Sequence, residues 1–145
     1  MSSHKPLSLT SPKQRQGSLF EQQACEFLQS QGLILIAQNW QQPKVGELDL
    51  IMLETGSAWS TLVFIEVRQR QRSGFGGAAL SVTASKQRKV IKTAQYFLQQ
   101  HPEYEDYDCR FDVIAYDTVG THIKTSGQNI ANQPQWLKGA FIADT

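Results

Sequence analysis

The hydrophobic pattern of the chain alternates between helical and strand spacing. Apolar side chains recur at helical spacing from about residue 18 until Gly32 ends the segment. Three runs rich in aliphatic and β-branched residues follow, over 33–39, 46–52 and 61–70, and predict three strands. A second amphipathic helix over 85–100 and a fourth strand over 110–116 complete the pattern. The order α-β-β-β-α-β predicts an α/β fold with a mixed central sheet flanked by helices.

The second and third runs, 46–52 and 61–70, predict a β-hairpin. Residues 54–58 between them contain the glycine and small polar side chains that a chain reversal needs. Each run carries a carboxylate in its middle, Asp49 in the first and Glu66 in the second. A charge within a buried strand costs several kcal/mol unless it is paired, hydrogen-bonded or bound to a metal. The two acids therefore mark a candidate site.

The loop of the hairpin decides whether these carboxylates meet. Residues two apart share a face of a strand, so Glu66 projects together with Arg68. A two-residue loop at 56–57 sets Asp49 opposite Phe64 and diagonal to Glu66, within reach of a shared ion. An odd-numbered loop without a bulge separates the two acids, so an even loop or a bulge is predicted.

These residues resemble two groups of proteins. An Asp on one strand, followed by Glu-x-Lys on the next, is the pattern of the PD-(D/E)xK nucleases; here Arg68 stands in the Lys place and no Pro precedes Asp49. The chain more closely resembles the YraN family over 17–141. The matching motifs are Gly46-Glu47-Leu48-Asp49-Leu50-Ile51, Phe64-Ile65-Glu66-Val67-Arg68-Gln69-Arg70, Phe75-Gly76-Gly77, Lys86-Gln87 and Arg110-Phe111-Asp112-Val113.

The resemblance implies a restriction-endonuclease-like fold akin to archaeal Holliday-junction resolvases. It implies an endonuclease that acts on DNA, above all on branched or structured DNA. Homodimers are common among junction resolvases, so the resemblance also suggests a homodimer. Asp49 and Glu66, with Glu21 and the carbonyl of Val67, are the expected ligands of Mg²⁺ or Mn²⁺, cations that prefer oxygen. Asp49, Glu66 and Arg68 are the expected catalytic residues. A guanidinium cannot act as a general base, so Arg68 cannot take that role, but it can bind phosphate oxygens in a bidentate manner.

Glu21 has two interpretations. Ser18 and Glu21 have the spacing of a capping box, in which the acid satisfies backbone donors at the start of a helix. In the resolvase-like proteins that the chain resembles, an acid on this helix joins the metal site. The residues alone leave both interpretations open.

The charges of the chain are segregated. Seven basic residues and one acid lie between Glu66 and Lys92, although the whole chain carries a net charge of +1. Cations beside a carboxylate pair suit a phosphodiester substrate. The expected nucleic-acid contacts are Arg70, Arg72, Lys86, Gln87, Arg88 and Lys89. Lys44 is another candidate for phosphate contact, and the alternative for all these side chains is an ordinary solvated surface.

Two other functions compete with a nuclease. One is a protein on a nuclease-like fold that binds nucleic acid without cutting it, with Arg68 as a clamp on phosphate or carboxylate. The other is a purely structural ion network of Asp49, Glu66 and Arg68. Fold by itself does not decide between them.

Length and composition suit a single domain. The 145 residues predict a mobile tail over 1–16 and one domain over 17–145. No apolar run approaches the ~20 residues of a membrane span and no signal peptide is visible, so a cytoplasmic protein is predicted. Cys25 and Cys109 are expected to be buried free thiols. The three histidines lack the spacing of a catalytic or metal-binding pair.

The C-terminal third has weaker patterns. Asp112 is expected to act as a cap or to form an ion pair, with Arg110 or a residue of the first helix, and the alternative is a distant metal ligand. A short edge strand is predicted around His122. Residues 132–137 read as a capped terminal helix that starts at a proline and packs Trp136 and Phe141 on the sheet.

Overall fold

The computed structural model describes residues 12–70, 82–117 and 134–143, with side chains from residue 19 to 69 in the first range. The elements are α1 (Pro12–Ser30), β1 (Ile34–Gln42), β2 (Gly46–Thr55), β3 (Ser60–Arg70), α2 (Ala84–Gln100), a 3₁₀ turn (Pro102–Tyr104), β4 (Asp108–Asp117) and β5 (Gln135–Phe141). The strands form a sheet in the order β1-β2-β3-β4-β5. Strands β3 and β4 are parallel, and the other neighbours are antiparallel. The predicted mixed sheet is confirmed.

The two helices cover opposite faces of the sheet. Helix α1 packs Ala24, Cys25 and Leu28 against the face that holds Leu50 and Ile65. Helix α2 packs against the other face; the buried residues there include Val90, Ala94, Phe97, Ile51 and Phe64. This order of layers places the middle of the hairpin between the two helices. Neither helix is long and apolar enough, over its described residues, to cross a membrane.

Helix α1 begins at Pro12, six residues before the predicted start at Ser18. Proline is favoured in the first turn of a helix because its fixed φ suits the position and it lacks the N–H that would be unpaired there. Ser18 therefore lies inside the helix, and the capping-box interpretation of Glu21 is wrong. Residues 12–16, predicted as part of the tail, are helical; residues 1–11 lie outside the described ranges.

The hairpin turns through four residues, not two. Thr55 pairs with Ser60, so the loop spans residues 56–59. The prediction of an even loop is confirmed, but the two-residue loop and the pairing of Asp49 with Phe64 are wrong, since Phe64 pairs with Ile51. The amide of Gly56 donates a hydrogen bond to the carbonyl of Trp59 at 2.9 Å and closes the longer turn.

The predicted terminal helix is also wrong, because residues Gln135–Phe141 form β5, antiparallel to β4. Both packing expectations nonetheless hold: Trp136 packs against the α1 face and Phe141 is buried on the α2 face. Of the two cysteines, Cys25 is buried as predicted, whereas Cys109 is exposed in β4. The predicted strand around His122 and the loop with Phe75 lie outside the described residues.

The ion pair predicted for Asp112 is confirmed with Arg110. The guanidinium donates to both carboxylate oxygens at 2.9 Å, and it also donates to Glu54 on β2. Trp136 Nε1 and the amide of Gly139 add two donors to the same carboxylate, at 3.0 and 2.9 Å. Asp112 is fully buried, and this hydrogen bonding satisfies its charge and ties β5 to β4.

Candidate functional site

The sheet forks at the two predicted acids. The pairing between β2 and β3 ends at Leu50 and Ile65, and Asp49 and Glu66 are the next residues on the two strands. Beyond this point β2 continues to pair only with β1, down to Gly46, whereas β3 continues along β4. The two halves of the sheet thus part where the carboxylates stand, and the fork leaves space between them.

On one side of the fork, in β1 and β2, the alternation of side chains between the two faces of the sheet is interrupted at the level of Asp49. Ile51 and Leu48 belong to the α2 face although they are three residues apart, and so do their partners Ala37 and Trp40 on β1. Strict alternation places residues three apart on opposite faces. The residue that absorbs the change on β1 is Asn39, which has a left-handed backbone with φ of 52°. Asparagine tolerates that conformation better than most residues.

The backbone of β3 holds the Asp49 carboxylate in place. The amide of Val67 donates a hydrogen bond to Asp49 Oδ2 at 2.9 Å. Glu66 is next to Val67 in the chain and is 2% exposed. Its carboxylate lies 3.7 Å from the ammonium of Lys86, near the start of α2. The predicted acids therefore converge, and a cation of the protein already faces one of them.

The acid pair binds protons unusually tightly. Burial and the neighbouring Asp49 together raise the pKa of Glu66 to about 8, against the opposing effects of Lys86 and Arg68. Burial also raises the pKa of Asp49, while the hydrogen bond from Val67 favours its ionised form. The shared proton accordingly belongs on Glu66. A cation bound between the two carboxylates would displace this proton.

Glu21 projects from α1 towards the same fork. Burial and the nearby Asp49 raise its pKa to about 7, while a hydrogen bond with the Asn39 side chain partly opposes the shift. Glu21 does not cap the helix. The structure instead places it beside Asp49. Nevertheless, within the described residues no three His, Cys, Asp or Glu side chains are grouped closely enough to hold a metal ion. Glu21 as a direct ligand stays a prediction.

Arg68 has a nitrogen without a partner. Its Nε is buried, and among the buried side-chain nitrogens and oxygens that the structure describes it alone lacks a hydrogen bond. Among the described residues no ion pair joins the guanidinium to Asp49 or Glu66, although its charge lowers the pKa of both acids. An unpaired buried donor costs about 1–3 kcal/mol, which an anionic oxygen bound at the fork would recover.

The start of α2 borders the fork. Thr83 caps the helix by accepting a hydrogen bond from the amide of Lys86 at 3.1 Å. Gln87 lies beside it but donates to the carbonyl of Val82 at 3.0 Å, so its carboxamide is partly occupied by the chain. Arg88 and Lys89 are exposed. Of the predicted nucleic-acid contacts, the side chain of Arg70 and the whole of Arg72 lie outside the described residues.

Three side chains near the fork escaped sequence reasoning as parts of the site. Asn39 and Glu47 both affect the pKa of Glu21. Gln41 donates a hydrogen bond to Glu47 Oε1 at 3.1 Å. Asparagine within a strand pattern is the signal for Asn39, because it marks a left-handed position. For Glu47 the signal is its place two residues before Asp49, on an arm of the hairpin.

Two clefts are present in the described part of the surface. The larger, about 600 Å³, lies beside the β2–β3 loop and Trp59, at the end of the hairpin away from the acids. The other, about 560 Å³, lies between the β1–β2 turn and α2 and is lined by Glu47 and Lys86 among others. Only the second adjoins the carboxylates, since Lys86 also contacts Glu66.

Comparison with known proteins gives a family and no activity. Residues 20–116 match the model of "Uncharacterised protein family UPF0102". A UPF0102 protein of Psychrobacter cryohalolentis is 67% identical over 98% of this chain and 88% of its own length. One from Pseudomonas putida strain GB-1 is 45% identical, over 88% of this chain and 93% of its own. The matched region contains α2, β2, β3 and hence the fork.

Proposed function

The chain belongs to the UPF0102 family, the YraN family that its motifs resemble, and we propose that it is a divalent-metal-dependent endonuclease of DNA. The observation that carries the proposal is the pair of carboxylates at the fork of the sheet, of which Glu66 is buried and Asp49 is half-buried. Such a pair is costly unless it binds something positive, and both acids have raised pKa values. Strongly perturbed acids in a cleft are typical of functional sites.

The donors at the fork fit Mg²⁺ or Mn²⁺. Asp49 and Glu66 offer carboxylate oxygens, and β3 offers the carbonyl of Val67 beside them. These hard ions are commonly held by one or two carboxylates, with water and substrate phosphate as the remaining ligands. When bound, the ion lowers the pKa of a coordinated water and neutralises charge that develops on the phosphate. Glu21 adds negative potential next to Asp49.

The remaining residues at the fork act on the phosphate. The amide of Val67 fixes the orientation of Asp49 through its hydrogen bond. Arg68 donates its unpaired Nε–H to a phosphate oxygen. Lys86 lies beside Glu66 before substrate binds and is near enough to contact phosphate afterwards. The predicted contacts Arg70, Arg72, Gln87, Arg88 and Lys89 extend this basic surface, and branched or structured DNA is the substrate that the family resemblance favours.

The second candidate function is binding of nucleic acid without cleavage. The contact of Lys86 with Glu66 favours it, because an internal ammonium already neutralises part of the charge that a metal ion would neutralise. In that case Arg68 and Lys86 hold the phosphate backbone, and no metal is taken up. The two functions differ in two measurable properties, the cleavage of DNA and the binding of Mn²⁺.

The test is an assay with purified protein and Mg²⁺ or Mn²⁺ on duplex, single-stranded, flap and four-way-junction DNA, and on RNA. We expect the wild type to cut a DNA substrate and both Asp49→Asn and Glu66→Gln to lose at least about a hundredfold in rate. Glu103→Gln, at an exposed acid remote from the fork, is the matched control and keeps wild-type activity. Cleavage that survives both fork substitutions shows another site or a contaminant, and Mn²⁺ binding without cleavage refutes the nuclease.

A further inference from the structure

We propose that the cleft between the β1–β2 turn and α2 binds one backbone phosphate of the nucleic acid, next to the phosphate held at the fork. The inference rests on the proposed function and extends it to residues on the far side of Lys86. It assigns a phosphate-binding role to Lys44 together with Lys89. Three lysines line this cleft, Lys44, Lys86 and Lys89, against the single acid Glu47.

The cleft is continuous with the carboxylate site. Lys86 lines it and also lies 3.7 Å from Glu66, and Glu47 lines it while raising the pKa of Asp49. The side chain of Glu47 is engaged by Gln41, which donates to it at 3.1 Å. A nucleic-acid strand whose scissile phosphate lies at the fork therefore runs past Lys86 into this cleft. Its next phosphate contacts the other two lysines, Lys44 and Lys89.

Close packing of the turn on α2 brings these lysines together. A Cβ added at Gly46 would come within 2.7 Å of Thr93 Oγ1 and 3.2 Å of Lys89 Cγ. Thr93 cannot easily retreat, because its hydroxyl donates to the carbonyl of Lys89 at 2.8 Å and the residue is fully buried. Only glycine permits this approach, and the approach sets the turn beside Lys89.

The backbone conformation of the turn indicates that the Lys44 side chain has a functional role. The amide of Val45 donates to the carbonyl of Gln42 at 3.0 Å, with Pro43 and Lys44 between them, and Lys44 has φ of 67°. Such a turn favours glycine or asparagine at the left-handed position. A side chain there costs on the order of 1 kcal/mol relative to glycine. The exposed lysine has no described ion pair to offset that cost, whereas a bound phosphate does.

The same backbone supplies a sharp test. Lys44→Gly removes the cation and relieves the left-handed strain, so it separates binding from folding. The probes are fluorescein-labelled single-stranded and duplex DNA, titrated by anisotropy in EDTA over a range of salt concentrations. Lys89→Gln is the second variant, and Lys92→Gln, an exposed lysine of α2 outside the cleft, is the matched control.

We expect Lys44→Gly and Lys89→Gln each to lower the salt dependence of log K by about one, as each removes one phosphate contact, while Lys92→Gln leaves it unchanged. Thermal stability of Lys44→Gly equals or exceeds that of the wild type. DNA binding with unchanged slopes in both cleft variants, or no DNA binding by the wild type, overturns the phosphate site. Its failure is distinct from that of the nuclease: cleavage with unchanged slopes leaves the nuclease standing, and slope losses without cleavage leave the phosphate site standing.

Discussion

The amide of Val67 donates its hydrogen bond to the carboxylate of Asp49 at 2.9 Å, at the level where β2 and β3 cease to pair. A side chain thus takes the place of a backbone acceptor of the neighbouring strand. The exchange keeps the buried N–H satisfied while the strands part, and it fixes an ionised oxygen at the mouth of the fork. The candidate site lies where the backbone hydrogen bonds between β2 and β3 end.

Glu66→Gln is expected to bind Mn²⁺ at least about tenfold more weakly, with a free energy of unfolding at pH 6 that equals or exceeds that of the wild type. At that pH the wild-type carboxyl is protonated, because its pKa is about 8, so the neutral amide resembles the native state. Titration calorimetry and urea unfolding measure the two quantities. A large loss of stability at pH 6 contradicts the assigned proton.

The stability of the metal-free protein is expected to fall as pH rises from about 4.5 to about 8. Burial raises the pKa of Glu66 from 4.5 to about 8, so the folded chain holds a proton that the unfolded chain releases. This contribution is complete below pH 4.5 and is lost as pH passes through 8; at roughly 1.4 kcal/mol per unit it amounts to several kcal/mol. Unfolding at a series of pH values in EDTA measures it.

Glu66→Gln provides the reference for that pH profile. The difference between the wild type and the variant isolates Glu66 from the raised pKa values of Asp49 and Glu21, which act in the same direction. The stability of the variant is expected to rise above that of the wild type from about pH 4.5 upwards, with the largest difference above pH 8. Parallel profiles for the two proteins would falsify the assignment.

Mg²⁺ is expected to raise the melting temperature more at pH 8.5 than at pH 5.5. Its carboxylate ligands must lose the proton that they hold at lower pH, so binding strengthens as pH rises. At a hundred times the dissociation constant the ion stabilises the fold by about 2.7 kcal/mol. Thermal unfolding with Mg²⁺ or EDTA at both pH values shows the effect, and Asp49→Asn should abolish it.

Arg68→Met is expected to weaken DNA binding and to reduce its salt slope by about one, with Mn²⁺ affinity retained. Its buried Nε has no partner in the free protein, so the methionine variant loses no described hydrogen bond and folds with similar stability. Arg68→Lys keeps the charge and serves as the comparison. Loss of more than about 2 kcal/mol of stability with unchanged DNA affinity favours the structural ion network instead.

Asp112→Asn is expected to cost about 3–5 kcal/mol of stability, since it breaks a buried ion pair with Arg110. The charge lies away from the fork, so Mn²⁺ affinity of the folded variant should match the wild type. Chemical unfolding and calorimetry at low temperature separate the two effects. A drop in metal affinity equal to that of Asp49→Asn argues against the assigned division of roles.

The hairpin, α2 and β4 follow from the sequence because their apolar spacing admits one periodicity. The start of α1 does not, because Ser18 and Glu21 imitate a cap that Pro12 makes unnecessary. Strand β5 does not follow from the sequence for a different reason. It contains Lys138 and the left-handed Gly139, and it is held by pairing with β4 and by donors to Asp112, contacts that no local pattern reveals.

The acids of the site were predicted from their cost of burial, which a sequence displays directly. Their surroundings depend on register, which a sequence displays poorly. The change of face at Asn39 and the end of pairing beside Asp49 arise between strands, and the meeting of Lys44 with Lys89 depends on how closely Gly46 approaches α2. Partners of this kind become visible only when three elements are placed together.

Strand β5 lies beyond residue 116, where the family match ends, yet it supplies two of the donors that neutralise Asp112. A truncated chain that stopped at the family boundary would keep every acid of the fork and lose the last strand of the sheet. Its buried aspartate would then depend on Arg110 alone. Expression of a minimal fragment is therefore a poor route to the folded protein, and the C-terminal strand belongs in any shortened version.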